Sequence, residues 1–316
     1  MTPNKEKTQY DTVVVAPYFE DIACDQFIED IAQNMDDKDY LVIVDDGSID
    51  RPFAPDIIKD NKLNGVVLKL SHNVGHQTAI ACGLSDIVER LSFKRIVIMD
   101  SDGEDRPAAI KELVDFLEKN DQCDIVVASR KSRVESIRFK AFYWIYQMVF
   151  KLFVGRSIRY GNFMALSPRA ASRLVRLNET AMHIAATTMK SRLNVRELSI
   201  DRGSRYAGNS KMNFVSLTLH GLRSIMVFAE VVLVRITLFC AAAASVIIVA
   251  IVIMIILKLT GLAIPGWFST VGGILLLLLL QIGLVTLLVL LSAGDLHINR
   301  MSPNHFKKLV ASRYEV

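Results

Sequence analysis

The carboxy-terminal third constrains this chain most: Ile236 to Leu257 are 22 consecutive uncharged residues, nearly all apolar. At about 1.5 Å per residue, a helix of that length crosses a ~30 Å hydrocarbon core. A second uncharged stretch follows, in which Gly261, Pro265 and Gly266 mark a turn and Val271 to Leu291 form a second span. Two spans make a helical hairpin, expected at about residues 232–258 and 269–292. A buried helical pair in a large soluble protein rarely runs so long without a charge. The segment after the hairpin holds Arg300, Lys307, Lys308 and Arg313, and the connecting turn has no Lys or Arg. The positive-inside bias therefore places residues 296–316, a basic tail, in the cytoplasm. An even number of crossings puts the amino-terminal part there too, as a multi-pass protein of the plasma (inner) membrane. The first ten residues lack an apolar run, so no cleavable signal is expected.

The net charge of +4 hides a strong division along the chain. Residues 1–129 carry 13 Lys and Arg against 26 Asp and Glu, whereas residues 130–228 carry 18 against 4. A basic block directly before lipid-spanning segments suits anionic headgroups or phosphorylated ligands better than nucleic acid, so no nucleic-acid partner is expected. The cysteines Cys24, Cys82, Cys123 and Cys240 form no CxxC pair, which excludes a disulfide framework or a zinc site of ordinary spacing.

Residues 13–129 alternate β-rich runs with helical patterns: VVVA, LVIVDDGS, VVLKL, a helix through QTAIACGLSDIVERL, RIVIMDSDGED, a helix through AAIKELVDFLEKN, then DIVVASR. That is the rhythm of βαβ units, and it predicts an α/β fold with a mostly parallel, buried sheet. Ligands of such sheets sit at the carboxyl ends of the strands, where the clusters Asp45 to Asp50 and Asp100 to Asp105 fall. The two clusters are expected to share one crevice. Phe139 to Phe153 and Met212 to Phe228 are apolar with sparse basic residues, and read as interfacial helices.

Asp100 and Asp102 are two residues apart, so if the strand persists both carboxylates face one side and can hold a hard divalent cation. A solvated acidic turn has the same pattern. DDGSID offers carboxylates for ribose hydroxyls and base donors, with Gly47 for a tight turn and Ser48 for hydrogen bonding. His72, Asn73, Gly75 and His76 precede a helix, where backbone N–H groups and side-chain amides meet ligands. No GxGxxG fingerprint is present, which argues against a dinucleotide-binding dehydrogenase.

Together these stretches resemble the family-2 glycosyltransferases of GT-A fold, specifically the polyprenyl-phosphate sugar synthases related to dolichol-phosphate mannose synthase. Pro17, Tyr18, Phe19 and Glu20 meet that family's Pro-x-x-Glu strand end, with Phe19 where Asn is usual. LVIVDDGSID resembles its nucleotide-binding strand, and NVGHQTAIACGL its helix start. MDSDGEDRP resembles its metal motif, with Glu104 where Gln is usual. Arg130 matches a Ser-Arg after the sheet strand, and Arg205, Gly208, Ser210 and Lys211 match R-x-x-G-x-SK. The resemblance implies a GT-A domain over residues 1–211, an interfacial helix over 212–228 and two transmembrane helices within 229–295. It implies an inverting hexosyltransferase that moves a sugar, most simply from a UDP-hexose, to a polyprenyl-phosphate acceptor at the lipid bilayer. Pro17, Tyr18, Glu20, Asp46, Ser48, Asn73, Asp100 and Arg130 would bind the nucleotide. Asp100, Asp102 and Glu104 would bind Mg²⁺ or Mn²⁺, and Asn162, Arg205 and Lys211 would act in catalysis. A homo-oligomer is compatible with this reading. One departure matters: GNFMALS has Asn162 where the family has an Asp that positions or deprotonates the acceptor, and Asn cannot be a general base. Another lipid-linked saccharide as acceptor, or a catalytically silent nucleotide-sugar-binding membrane protein, are the alternatives.

Overall fold

The structure, a computed structural model, describes residues 8–130, 137–158, 160–207, 214–262, 266–298 and 305–316, except the side chains of residues 130, 137–143, 214, 290, 293–298 and 305. In chain order its elements are β1 (Gln9–Tyr18), α1 (Cys24–Ala32), β2 (Tyr40–Asp45), α2 (Asp56–Asp60), β3 (Gly65–Leu70), α3 (His76–Arg90), β4 (Ser92–Ile98), α4 (Ala109–Lys119) and β5 (Ile125–Arg130). They continue with α5 (Ile137–Val154), β6 (Tyr160–Leu166), α6 (Pro168–Leu174), α7 (Ile184–Lys190), β7 (Val195–Ile200), α8 (Phe214–Met226), α9 (Ala229–Leu259), α10 (Trp267–Ile298), α11 (His305–Leu309) and β8 (Val310–Glu315). The chain divides into two compact units, one of residues 1–148, 156–227 and 301–316, the other of residues 149–155 and 228–300.

The first unit is built on a sheet of order β7-β5-β6-β4-β1-β2-β3-β8. β4, β1, β2 and β3 run parallel, as do β5 and β7, while β6 is antiparallel between β4 and β5. Val13, Val15, Val42 and Val44 pack on one face with α3, and Val14, Ile43, Val97 and Met99 on the other with α1 and α4. Burial on both faces is why these strands read as continuous apolar runs. A Cβ at Gly83 would lie 2.7 Å from Val15 Cγ2 and 2.8 Å from Val44 Cγ2, so glycine lets α3 approach the sheet closely.

The carboxy-terminal segment differs from the expected tail. β8 pairs antiparallel with β3 and forms the sheet edge. Phe306 is 3% exposed in the core beneath α3, and Lys307 and Arg313 reach Glu89 and Asp86 on that helix. One buried aromatic and two charges aimed at α3 turn a short basic run into part of the first unit. The helices α5 and α8, where interfacial helices are expected, are joined by a 2.6 Å hydrogen bond between the Tyr146 and Ser224 hydroxyls. Trp144, Ile145 and Met148 on α5, and Val215, Leu219, Leu222 and Met226 on α8, are exposed.

In the second unit, α9 and α10 pack together and are long and apolar enough to cross a membrane. Only 11% of the most apolar window of α9, and none of that of α10, is buried within the protein, unlike a soluble core helix. The Arg235 guanidinium donates to the Leu152 carbonyl at 2.7 Å, which anchors the start of α9 to the end of α5.

Replacing Phe306 with Ala should cost about 3–5 kcal/mol, because an aromatic side chain is lost from a closed core. Denaturant melting of the detergent-solubilised chain reads this directly; a change under about 1 kcal/mol would mean that α11 is not part of the core.

Candidate active site

The strands β1, β2 and β4 are parallel neighbours, so their carboxyl ends deliver three loops to one edge. Asp45 and Asp46 tie those loops together. The Asp45 carboxylate accepts from the N–H groups of Ser48 and Phe53, each at 3.0 Å. Asp46, 3% exposed, accepts from Val74 N–H at 2.7 Å and Gly75 N–H at 2.9 Å, one bond to each oxygen. Burial pushes the Asp46 carboxyl above its ordinary range, although these N–H bonds and His76 pull the other way. Gly47 has φ +69°, and a Cβ there would lie 2.4 Å from the His72 carbonyl carbon, so the loop before α3 rests directly on glycine.

The first loop joins the same frame. Glu20 Oε1 accepts from the N–H groups of Ile49 at 3.1 Å and Asp50 at 3.2 Å, while Glu20 N–H donates to Ser48 Oγ at 3.2 Å. Tyr18 is buried, donates to the Arg51 carbonyl at 2.7 Å and packs edge-on against Phe53. The Pro17 carbonyl lies 3.0 Å from Ser101 Oγ, a hydroxyl also 2.9 Å from Asp21 Oδ2. The polar atoms of Tyr18, Glu20, Asp46 and Ser48 that were expected to face a nucleotide thus make bonds that shape the loops. Asn73 is exposed at their rim. Arg130 closes β5, and its side chain lies outside the described residues, as do Gly208, Ser210 and Lys211.

β4 ends at Ile98, so the strand does not persist to Asp100 and Asp102, and a turn places both carboxylates. Asp100 N–H donates to Asp105 Oδ2 at 2.9 Å, Glu104 N–H to Asp102 Oδ1 at 3.0 Å, and Gly103 takes φ +90° against the Tyr206 ring. The segment after β7 lies along this turn. Gly203 N–H reaches the Glu104 carbonyl and Tyr206 N–H the Asp102 carbonyl, each at 3.0 Å. Arg205 pairs with Asp102 at 3.0 Å and Glu104 at 3.2 Å, and Arg202 also pairs with Glu104. Burial and the Asp100 charge raise the Asp102 carboxyl, with Arg205 and Arg202 opposing.

The expected metal set of Asp100, Asp102 and Glu104 is not gathered as a three-carboxylate cage. Glu104 is turned to the two guanidinium groups, and among the described residues no group of three or more His, Cys, Asp or Glu is arranged to hold a metal. Asp100 and Asp102 do offer hard oxygen donors from one turn, which fits a cation held jointly with ligand oxygens.

His76 Nε2 is 3.0 Å from Asp100 Oδ1 and 3.1 Å from Asn162 Nδ2. Loss of water disfavours a charged imidazole here, but the carboxylates of Asp100, Asp105 and Asp102 outweigh it and hold the His76 pKa above its ordinary value. Asn162 Oδ1 accepts from Gln77 Nε2 at 3.1 Å, and Gln77 Oε1 from Ile184 N–H at 2.7 Å. Asn162 and Arg205 are therefore both brought to the acidic turn, one through His76 and one directly. Sequence reasoning missed Gln77, Arg202 and Tyr206; their partners lie far away along the chain, and no local spacing marks them.

The largely parallel sheet, with acidic turns at the carboxyl ends of β2 and β4, has the GT-A fold. The profile of glycosyl transferase family 2 matches residues 12–179, and the chain belongs to that family. An uncharacterized glycosyltransferase, YkoT, of Bacillus subtilis (strain 168) is 28% identical over 211 residues; the match spans 64% of this chain and 60% of that relative's length. Glucosyl-3-phosphoglycerate synthase from Mycobacterium tuberculosis, solved with Mn²⁺, UDP-glucose and phosphoglyceric acid, has TM-score 0.50 at 17% identity, over 72% of this chain and 79% of that one. Its complex with Mn²⁺, UDP and phosphoglyceric acid has TM-score 0.50 at 16% identity, over 72% and 78%. At these identities the likeness is one of fold.

His183 caps α7, its Nδ1 accepting from Ala186 N–H at 3.2 Å, and so sets the Ile184 N–H that holds Gln77. Burial, then the neighbouring His220, lowers its pKa from 6.5 to about 3. The unfolded chain binds this proton more tightly, so the neutral form's contribution is complete above about pH 6.5 and is lost as pH falls toward about 3. Between pH 7 and pH 5 the loss should be about 2 kcal/mol. Melting His183→Asn beside the wild type at both values checks this: Asn caps without titrating, so the stability gap should move by that amount, and a constant gap would refute it.

Proposed function

We propose that the chain is a membrane-bound inverting glycosyltransferase that moves a hexose from a nucleotide-diphospho-sugar, most simply a UDP-hexose, to polyprenyl phosphate. The observation that carries this reading is the acidic turn itself, with Asp100 and Asp102 at the sheet edge and the Arg202 and Arg205 guanidinium groups set against its carboxylates. Opposite charges within one site suit a ligand that brings its own phosphates. Asp100 and Asp102 would hold Mg²⁺ or Mn²⁺, which when bound offsets the negative charge developing on the leaving diphosphate. Arg205 and Arg202 then exchange their carboxylate partners for phosphate oxygens, a bidentate geometry that guanidinium favours. The acceptor phosphate oxygen forms the bond to the anomeric carbon as the bond to the diphosphate oxygen breaks.

Family membership supports the donor class, and α9 and α10 support lipid as the source of the acceptor. Both flanks of that helical hairpin, α8 before it and α11 with β8 after it, belong to the first unit. That connectivity suits an even number of crossings, with the first unit on one side of the bilayer. Residues 1–211 would be the cytoplasmic catalytic part, and the apolar faces of α5 and α8 would meet the headgroup region.

A second reading, transfer to a hydroxyl of a lipid-linked saccharide, is favoured by His76, an imidazole paired with Asp100 and 3.1 Å from Asn162, which in its neutral form can accept a proton where Asn162 cannot. The two readings differ in what the acceptor needs. A phosphate monoester has a second pKa of about 6 and is already a nucleophile at neutral pH, whereas a hydroxyl gains roughly 10²- to 10⁴-fold from a base.

Membranes containing the protein should convert polyprenyl phosphate and one of a panel of radiolabelled nucleotide-sugars to organic-soluble product. The rate should rise through acceptor ionisation near pH 6 and stay flat above it. Asn162→Asp should lower it, because a second anion repels the phosphate. A gain of turnover on a sugar hydroxyl in Asn162→Asp, or no lipid product with any donor, would overturn the phosphate-acceptor reading.

A further inference from the structure

Gln77 is 3% exposed, and both ends of its amide are committed. The carbonyl oxygen accepts Ile184 N–H, a backbone donor that cannot exchange roles, so the NH₂ group must point the other way, to Asn162. Asn162 must then meet Gln77 with its own oxygen. Its NH₂ group is directed to the opposite side, toward His76 and the acidic turn. The orientation of a half-buried asparagine amide is not settled by its shape, since its oxygen and nitrogen can exchange places by a flip. Here a backbone N–H on α7 settles it through one buried glutamine, across α3 and β6.

We infer that Gln77 is a positioning residue that fixes Asn162 with its NH₂ group presented to the acceptor, and so selects an acceptor atom carrying lone pairs and no proton. This rests on the proposed phosphate-acceptor reading and deepens it. Each oxygen of a phosphate dianion accepts hydrogen bonds, whereas a hydroxyl must also place a proton, which the NH₂ face of Asn162 cannot take and which would have to pass to His76. A carboxylate at position 162 would offer the reverse. Asn162 thus acts here as a directed donor, and its direction is set by a residue that does not touch the substrate.

Four full-length proteins in detergent test this: wild type, Gln77→Met, Asn162→Ala and the double variant, each with KM measured for polyprenyl phosphate and for the nucleotide-sugar. Gln77→Met should raise the acceptor KM by about tenfold, as expected for loss of one directed hydrogen bond to a charged group, and change the donor KM less than about twofold. In the Asn162→Ala background the same substitution should add nothing, because the residue it positions is gone. With selectively ¹⁵N-labelled asparagine, the side-chain signal that disappears in Asn162→Ala should move in Gln77→Met. Gln77→Glu, which keeps an oxygen for Ile184 N–H, substitutes if the methionine variant melts early, judged by that signal alone because its charge would itself repel phosphate. An unmoved signal, additive KM effects, or an equal rise in donor KM would overturn the inference. A moved signal in a protein that glycosylates no polyprenyl phosphate would leave the amide's orientation standing and sink the acceptor reading.

Discussion

The grip of the buried Asp46 carboxylate on two successive backbone N–H groups, Val74 and Gly75, is the interaction on which the site depends. It fixes where α3 begins relative to the end of β2. From that start, His76 reaches Asp100 and Gln77 reaches both Asn162 and Ile184. One anion, buried at a cost and compensated by charge-assisted hydrogen bonds, therefore sets the relation between the acidic turn and β6. Glycine at position 47 is the steric condition for it, since any Cβ would strike the loop that Asp46 holds.

The charge division along the chain has a local meaning. Arg202 and Arg205 come from the basic block, and Asp102 and Glu104 from the acidic half; β7 brings the two together at one turn. The guanidinium groups offset carboxylates that would otherwise repel one another in a partly desolvated place. Burial and the Asp100 charge still hold the Asp102 carboxyl above its ordinary range, against the pull of Arg205 and Arg202.

Much of this was legible from residue order. The runs VVVA, LVIVDD, VVLKL and RIVIM are β1 to β4, the helices through Gln77 and Lys111 are α3 and α4, and the two long apolar stretches are α9 and α10. Each is marked by periodicity or length within one window. The insertion of β6 between β4 and β5, and the return of β8 to the edge of β3, are pairings between distant segments, and a short run such as VASRYE has no local mark of its partner. For the site, the acidic clusters were legible as chemistry but not as geometry. Tyr18, Glu20, Asp46 and Ser48 bond to neighbouring loops, Glu104 turns to arginines, and Asp100 and Asp102 sit in a turn that begins where β4 has ended.

Calorimetric titration of a UDP-hexose into the full-length protein, with and without Mn²⁺, tests the claim that the acidic turn is a metal-dependent diphosphate site. Binding should require Mn²⁺ and be lost in Asp102→Ala, with melting behaviour otherwise preserved. Equal affinity with and without the metal, or undiminished affinity in the variant, would place the donor elsewhere.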